Sequence, residues 1–197
     1  DVADVYAFAK KNGFEDSQLQ SWDFSYWSEK YQQAEYSLSA EELKPYFQLE
    51  SCIDAVLGLA TRLYGITFKE LDNVPVYHPD VKVYEVNDAD GRHLALFYAD
   101  FFPRASKRGG AWMTEFRGQS IRNGVEYRPF ISTVMNFTKP TADAPALITH
   151  DELVTFLHEF GHALHGIFAE GRYGSLTGTN VSRDFVELPS QIMENWA

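Results

Sequence analysis

The sequence has little sulfur chemistry and no long apolar runs. Among its 197 residues there is a single cysteine, Cys52. One cysteine excludes an internal disulfide framework and any zinc site built from several cysteines. Its apolar surroundings predict a buried, unreactive thiol. No apolar run approaches the roughly 20 residues of a membrane-spanning helix, so no membrane segment is expected.

Basic residues are scarce relative to acidic ones. Lysine and arginine total 17 against 28 aspartates and glutamates, which gives a formal charge of −11. Such a surface repels phosphate backbones and anionic lipids, so neither nucleic acid nor a membrane is expected as a partner. Hydrophobic residues make up 45% and charged residues 23% of the chain. These proportions indicate a folded, globular protein rather than a disordered one.

The two ends of the sequence lack the marks of a complete protein. The first residues, Asp1-Val2-Ala3, contain neither an initiating methionine nor the apolar segment of a signal peptide. The last, Glu194 to Ala197, contain no glycine or proline stop signal. We therefore expect a fragment of a longer protein. A cytoplasmic location is expected, although an export signal in a preceding segment is compatible with the sequence.

The chain divides by pattern into helical ends and a strand-rich middle. Residues 1–70 have helical periodicity, residues 75–137 contain β-branched and aromatic runs, and residues 149–197 are helical again. The expected fold class is α+β, mainly helical with a small, mainly antiparallel sheet. The predicted strands are Val81–Val86, Leu94–Phe101 and Phe130–Phe137.

A basic loop follows the second predicted strand. Residues 104–110 read Arg-Ala-Ser-Lys-Arg-Gly-Gly and lack the spacing of a phosphate-binding loop. A solvated loop is the favoured interpretation. Binding of an anionic end of a substrate is the alternative.

The strongest chemical signal is the pattern His158-Glu159-Phe160-Gly161-His162. Thr149 and Glu152 form a predicted capping box ahead of it. Apolar residues then recur at helical spacing as far as Gly171, so the motif is expected on one amphipathic helix. The alternative interpretation is two ordinary histidines on a helix, because this pattern arises by chance in about one in a hundred chains of this size.

Helix geometry gives the motif a chemical meaning. Residues four apart lie on one face, so His158 and His162 can aim both imidazoles at one ion. Glu159 is rotated by about 100° from His158 and can reach a metal-bound water without being a ligand. Metal-assisted hydrolysis needs this arrangement, in which the glutamate takes the proton of the water and passes it to the leaving nitrogen.

A catalytic zinc site also needs a third protein ligand. Glu170 lies on the same predicted helix and is poorly placed to turn back, whereas Glu187 lies in a second helical segment that could pack across the motif. Asp184 and Glu194 are further candidates. His165 is assigned to the core or to orienting a ligand, because three ligands from one helix would strain a tetrahedral site.

Three separate stretches of the sequence form a combination that is more specific than the histidine motif alone. They are residues 136–140 (Asn-Phe-Thr-Lys-Pro), residues 158–162, and residues 184–196, which contain Asp-Phe-Val-Glu-Leu-Pro-Ser-Gln and Glu-Asn-Trp. In combination they resemble the thimet oligopeptidase family of zinc peptidases, the M3 peptidases. The resemblance extends weakly back to about Trp22 and therefore covers most of the chain.

The resemblance implies specific roles at a zincin-like active-site helix. The cofactor would be Zn²⁺, held by His158, His162 and Glu187, with Glu159 as the general base. Gln191 and Glu194 follow Glu187 by four and seven residues, on the same helical face. Either could orient a ligand through a hydrogen bond.

Two further stretches, residues 97–113 and 173–181, resemble the bacterial peptidyl-dipeptidase (dipeptidyl carboxypeptidase) branch of the family. This implies hydrolysis of peptide bonds in short peptides, with release of C-terminal dipeptides. One alternative is an oligopeptidase of the same family, which cuts internally. The other is a catalytically incomplete fragment that binds zinc or peptide.

Members of the family are several times longer than this chain. The resemblance therefore implies that residues 1–197 are part of a metallopeptidase catalytic domain, whose missing remainder is a partner of the chain. That remainder would supply groups that stabilise the oxyanion, each of which contributes a factor of about 100 to 1,000 in turnover. We expect the isolated chain to turn over weakly or not at all. The strand at Ile131–Phe137 is the expected edge along which an extended peptide lies.

Overall fold

A computed structural model describes residues 2–36 and 40–197. The chain forms two compact units, Asp1–Pro45 and Tyr46–Ala197. No helix in the described ranges is long and apolar enough to cross a membrane.

The first unit is helical. Its elements are α1 (Val2–Lys11), α2 (Ser21–Tyr36), α3 (Ala40–Leu43) and the start of a 3₁₀ turn at Lys44–Tyr46. Aromatic side chains join the first two helices, with the ring of Phe8 lying 5.5 Å from that of Tyr31 and 6.4 Å from that of Trp27. The periodicity of residues 1–70 predicts helices in this region, and this unit contains helices, whereas Thr67–Glu70 at the end of that range form a strand.

The second unit begins with α4 (Leu49–Tyr64), an amphipathic helix that ends at Gly65. Gly65 adopts a φ of 74°, in the left-handed region that glycine enters without steric cost, and its N–H bonds to the carbonyl of Thr61. Cys52 points into the core from this helix and is 6% exposed, as predicted. Burial raises the pKa of its thiol.

The strands of this unit are β1 (Thr67–Glu70), β2 (Lys82–Asn87), β3 (His93–Asp100), β4 (Trp112–Arg117), β5 (Ser120–Arg122), β6 (Val125–Tyr127) and β7 (Phe130–Val134). A five-stranded sheet has the strand order β1-β2-β3-β7-β4. Only β3 and β7 run parallel, and a separate two-stranded hairpin pairs β5 with β6. The α+β class with a mainly antiparallel sheet is therefore confirmed.

The prediction that Ile131–Phe137 forms the sheet edge is wrong. The strand ends at Val134 and lies inside the sheet, hydrogen-bonded to β3 on one side and to β4 on the other. Residues 131–133 are fully buried on both faces, which is typical of an internal strand. The edges of the sheet are β1 and β4, neither of which the sequence analysis identified.

The two faces of the sheet pack differently. Ala95, Phe97 and Ala99 of β3 join the main core, where the ring of Phe97 lies 5.6 Å from that of Phe160 on the next helix. Leu96 and Tyr98 point to the opposite face and pack in a smaller cluster with Val83 and others. This alternation is the two-residue period of a β-strand.

Two helices complete the unit. The first, α5 (His150–Ile167), begins with the predicted capping box, in which Thr149 accepts from the N–H of Glu152 and the Glu152 carboxylate accepts from the N–H of Thr149. It ends at Ile167, four residues before the predicted end at Gly171. The second, α6 (Glu187–Glu194), packs against α5.

Candidate metal centre

The centre is built on one face of α5. His158 and His162 lie one turn apart on it, with ring centroids 4.9 Å apart. The core residues Phe156 and Phe160 anchor the opposite side of the helix and are fully buried. Because the apolar side of the helix is fixed against the sheet, both imidazoles are held towards the same cavity.

The α6 helix brings a carboxylate to these histidines. Glu187 Oε2 lies 3.1 Å from His162 Nε2 and 3.3 Å from His158 Nε2. One ligand atom from each of the three side chains can be chosen so that all lie within 4.8 Å of one another. No other such metal-capable group occurs within residues 2–36 and 40–197.

The other candidate third ligands lie elsewhere. Glu170 is beyond the end of α5 and approaches Arg92 at 3.9 Å. Asp184 is exposed and precedes α6. Glu194 lies behind His158 rather than beside the three ligand atoms, because its Oε1 is 2.6 Å from His158 Nδ1.

That contact between Glu194 and His158 has a direct chemical consequence. A histidine that donates its Nδ1–H to a carboxylate keeps Nε2 free as the electron-pair donor, and its ring orientation is fixed. Gln191 differs, because its side chain is exposed and makes no hydrogen bond to the three grouped residues in the described structure.

A buried serine, Ser190, orients Glu187. The sequence analysis did not identify this serine. Ser190 Oγ is 2.9 Å from both Glu187 Oε2 and the Glu187 backbone oxygen, and Ser190 is 0% exposed. This hydroxyl, with the charges of His162 and His158, holds the pKa of the Glu187 carboxyl below its usual value, although desolvation opposes the shift. The three-residue spacing on a helix is the signal that could have revealed the pair.

Glu159 lies beside the grouped residues and is 8% exposed. Together with His158, His162 and Glu187 it lines a cavity of about 320 Å³, which the edge strand β4 closes through Met113 and its neighbours. Burial raises the pKa of the Glu159 carboxyl, whereas the charge of His158 and a hydrogen bond from the Met113 N–H lower it in part. The carboxylate therefore faces both the metal-capable group and the open sheet edge.

Burial also shifts the pKa values of two histidines on α5, His162 and His165. Burial lowers the pKa of His162, so its imidazole favours the neutral form that binds metals. His165 also has its pKa lowered by burial, and its ring packs 6.3 Å from that of Phe185, outside the metal-capable group. Two imidazoles and one carboxylate are a donor set that suits a catalytic zinc with one open position.

Known proteins are similar to this chain over most of its length. The model of the family described as Peptidase family M3 matches residues 2–197. A dipeptidyl carboxypeptidase of Salmonella typhimurium is 51% identical over 180 residues, covering 91% of this chain and 26% of the relative. Oligopeptidase A of Escherichia coli is 42% identical over 198 residues, covering 100% of this chain and 29% of the relative.

A third relative is more distant. The thimet-like oligopeptidase of Dictyostelium discoideum is 36% identical over 184 residues, covering 92% of this chain and 27% of the relative. The chain thus spans a little more than a quarter of the length of these curated relatives.

Proposed function

The chain belongs to peptidase family M3, and on that premise we propose that it carries the metal centre of a zinc metallopeptidase that hydrolyses short peptides. The observation that carries the proposal is the convergence of His158, His162 and Glu187 beside the buried carboxylate of Glu159. The activity proposed is that of the protein at its full length, of which residues 1–197 would form part of the catalytic domain. A cytoplasmic location is part of the same proposal.

The three grouped residues would hold the ion. When bound, zinc polarises a scissile carbonyl and lowers the pKa of a water towards about 7. Ser190 fixes the rotamer of Glu187, and Glu194 fixes the ring of His158, so both α5 and α6 hold ligands in preset positions. Gln191 remains a candidate for a similar orienting role.

Glu159 would act as the general base. From its position between the ligands and β4 it would take a proton from water and return it to the leaving nitrogen. An extended peptide could pair with the free edge of β4, where main-chain hydrogen bonds would align the scissile bond. Met113 belongs to that strand, and its N–H bonds to the Glu159 carboxylate. The same strand would therefore hold both the peptide and the general base.

The favoured reaction is release of C-terminal dipeptides. The basis is the higher identity to a dipeptidyl carboxypeptidase than to oligopeptidase A, 51% against 42%. Internal cleavage by an oligopeptidase is the second candidate, supported by the match of the latter over the whole chain.

Product analysis distinguishes the two. The zinc-loaded, full-length protein is incubated with a peptide of about ten residues, and the products are identified by mass spectrometry over time. Stepwise loss of two residues from the C-terminus supports the dipeptidase. A single internal cut supports the oligopeptidase, and no cleavage of any peptide contradicts both.

A further inference from the structure

The basic loop at residues 104–110 borders a second cavity that the proposed chemistry does not use. This cavity, of about 620 Å³, is lined by Asp100, Arg104, Arg108 and Trp112, among others. It lies on the sheet face opposite α5, because Asp100 of β3 has the same strand parity as Leu96 and Tyr98. We name it the arginine cavity.

The acidic group in this cavity is fully occupied. Asp100 is 0% exposed. Its Oδ1 accepts from Arg104 Nη1 and from Lys107 Nζ, each at 2.9 Å. Its Oδ2 accepts from Tyr77 at 3.1 Å and lies 2.9 Å from Arg104 Nη2. A cationic ligand would therefore find no free acceptor on this carboxylate.

Two cationic side chains, those of Arg104 and Lys107, bond to the single carboxylate of Asp100. Lys107 Nζ donates to the backbone oxygens of Asp100 and Phe102 as well as to the Asp100 carboxylate, so its three donors hold the loop. Arg104 uses one N–H of each Nη on Asp100, which leaves three of its five donors, and its side chain is 21% exposed. Arg104 and Lys107 carry two positive charges against the one negative charge of Asp100. The charge of Asp80 also acts on them, but Asp80 is itself paired with Lys139, so the cavity wall keeps an excess positive charge.

A third cation stands at the mouth. Arg108 is exposed and has no carboxylate within ion-pair distance in the part of the chain that the structure describes. Its backbone is held in place, because Asn136 Nδ2 donates to the carbonyls of Arg108 at 2.8 Å and Gly110 at 2.7 Å. The Arg108 side chain thus belongs to a fixed loop, and among the described residues it has no hydrogen-bond or ion-pair partner.

The arginine cavity is next to the metal centre across the edge strand. Trp112 of β4 lines both cavities. A peptide paired with the edge of β4 places successive side chains on opposite faces of the sheet. Groups on one face would point towards α5, and the alternate groups would point towards Arg104 and Arg108.

We propose that the arginine cavity is a subsite for a carboxylate of the peptide substrate, bound by Arg104 and Arg108. This inference rests on the proposed function, because it takes the occupant to be a peptide on β4. Guanidinium groups match carboxylates in geometry and charge. Residues 1–197 have a formal charge of −11 and would repel anions, so a local positive site is what would admit an acidic group. The carboxylate comes either from an acidic side chain or from the C-terminus.

Binding measurements on three peptides test the subsite and separate these sources. The first peptide has neutral side chains and a free C-terminal carboxylate, the second is its C-terminal amide, and the third is the amide with one glutamate. Dissociation constants are measured by calorimetry on the zinc-loaded, full-length protein carrying Glu159→Gln. The same protein with Arg108→Gln, and a matched control with Arg122→Gln, are measured in parallel. Arg122 is an exposed arginine on β5 outside the cavity.

We expect the neutral amide to bind more weakly than at least one carboxylate peptide. Arg108→Gln should weaken that carboxylate peptide about tenfold, the size of a charge-assisted hydrogen bond, and leave the amide unchanged. Arg122→Gln should change neither. Sensitivity of the free acid identifies the C-terminus as the source, and sensitivity of the glutamate peptide identifies a side chain.

Two results would overturn the subsite. One is the absence of a carboxylate preference, which includes no measurable binding of any of the three peptides. The other is an equal effect of Arg108→Gln on all three peptides. Failure of the proposed function would look different, because the wild-type protein would then leave every peptide intact while a preference dependent on Arg108 could persist.

Discussion

At the scale of single residues, we propose separate tasks for Glu159 and for the three grouped residues. Glu159 lies in the metal cavity but is not part of the metal-capable group. Glu159→Gln keeps the size of the side chain and removes the base. We expect hydrolysis to fall about 100- to 10,000-fold, the usual contribution of general base catalysis.

The measurement pairs the turnover number with the zinc content of the same full-length sample. Zinc should stay at the wild-type level in Glu159→Gln. Glu170→Gln, a change at an exposed glutamate outside the cavity, is the matched control and should leave both values unchanged. Wild-type turnover in Glu159→Gln would remove Glu159 from the reaction.

A second residue-scale prediction concerns the support of His158. Because the Glu194 carboxylate lies 2.6 Å from His158 Nδ1, Glu194→Ala leaves the imidazole free to rotate and less basic. We expect zinc affinity to fall about 10- to 100-fold, as when other metal-bound histidines lose such a partner. Competition with a chromogenic chelator measures this.

Gln191→Ala is the comparison variant for that experiment. Its side chain is exposed and makes no hydrogen bond to the grouped residues in the described structure, so a smaller loss of affinity is expected. Equal losses in the two variants would contradict the role given to the Glu194–His158 contact.

At the scale of elements, the site depends on how closely α6 approaches α5. A Cβ atom on Gly161 would lie 2.6 Å from the backbone oxygen of Pro189 and 2.6 Å from Ser190 Cα. Because backbone atoms cannot move aside as a flexible side chain can, Gly161→Ala should push α6 away. We expect a loss of about 1–3 kcal/mol in the free energy of unfolding, together with weaker zinc binding, because Glu187 travels with α6.

The matched control is Gly58→Ala in α4. A Cβ atom there would meet nothing closer than Arg62 Nη1 at 3.7 Å. An alanine in a helix interior is favoured over glycine by about 0.5–1 kcal/mol, so this variant should be as stable as wild type or more so. Urea unfolding of both variants gives the comparison. Equal stability of Gly161→Ala and wild type would show that the close approach is not required.

The elements differ in how well sequence patterns predicted them. The α5 helix was predictable because its capping box, apolar period and metal motif are all local. The edge position of β4 was not predictable, because strand order depends on contacts between residues far apart in the sequence. In the structure, the side chains of Trp112–Arg117 are only partly buried, unlike those of an internal strand. Ser190 was not predicted for a similar reason. Its partner Glu187 is only three residues away, but its burial depends on how α6 packs against α5.

At the scale of the whole molecule, acid stability should depend on Asp100. The burial of Asp100 raises the pKa of its carboxyl, but the bonds from Arg104 and Lys107 outweigh this and leave the pKa below its usual value. A carboxyl whose folded pKa is lowered stabilises the fold above its unfolded pKa, and this contribution disappears as the pH falls through the folded value. The metal-free protein should therefore lose stability as the pH falls below about 4.

Asp100→Asn isolates this contribution. At neutral pH it should cost about 3–5 kcal/mol, because two cations are left without their anion. Its unfolding temperature should then vary less between pH 7 and pH 3 than that of the wild type. Parallel acid profiles for the two proteins would show that Asp100 has an unshifted pKa in the fold.

Some parts of the site are predictable from the sequence and others depend on the folded molecule. His158, His162 and Glu159 follow from one local motif, and Glu187 from the need for a third ligand on a segment that can pack back. The arginine cavity was visible only as a basic loop, because the burial of Asp100 at the end of β3 and the approach of Trp112 from β4 depend on how the sheet packs. The proposal that residues 1–197 form part of one catalytic domain stays a prediction.

The most direct measurement is zinc per chain by elemental analysis, made on the full-length protein after dialysis against zinc. Wild type, Glu187→Ala and the control Glu170→Ala are compared at equal concentration. The account predicts one zinc in the wild type and the control, and little in Glu187→Ala, because two histidines alone do not complete the site. No zinc in the wild type, or one zinc in Glu187→Ala, would contradict the three-ligand centre.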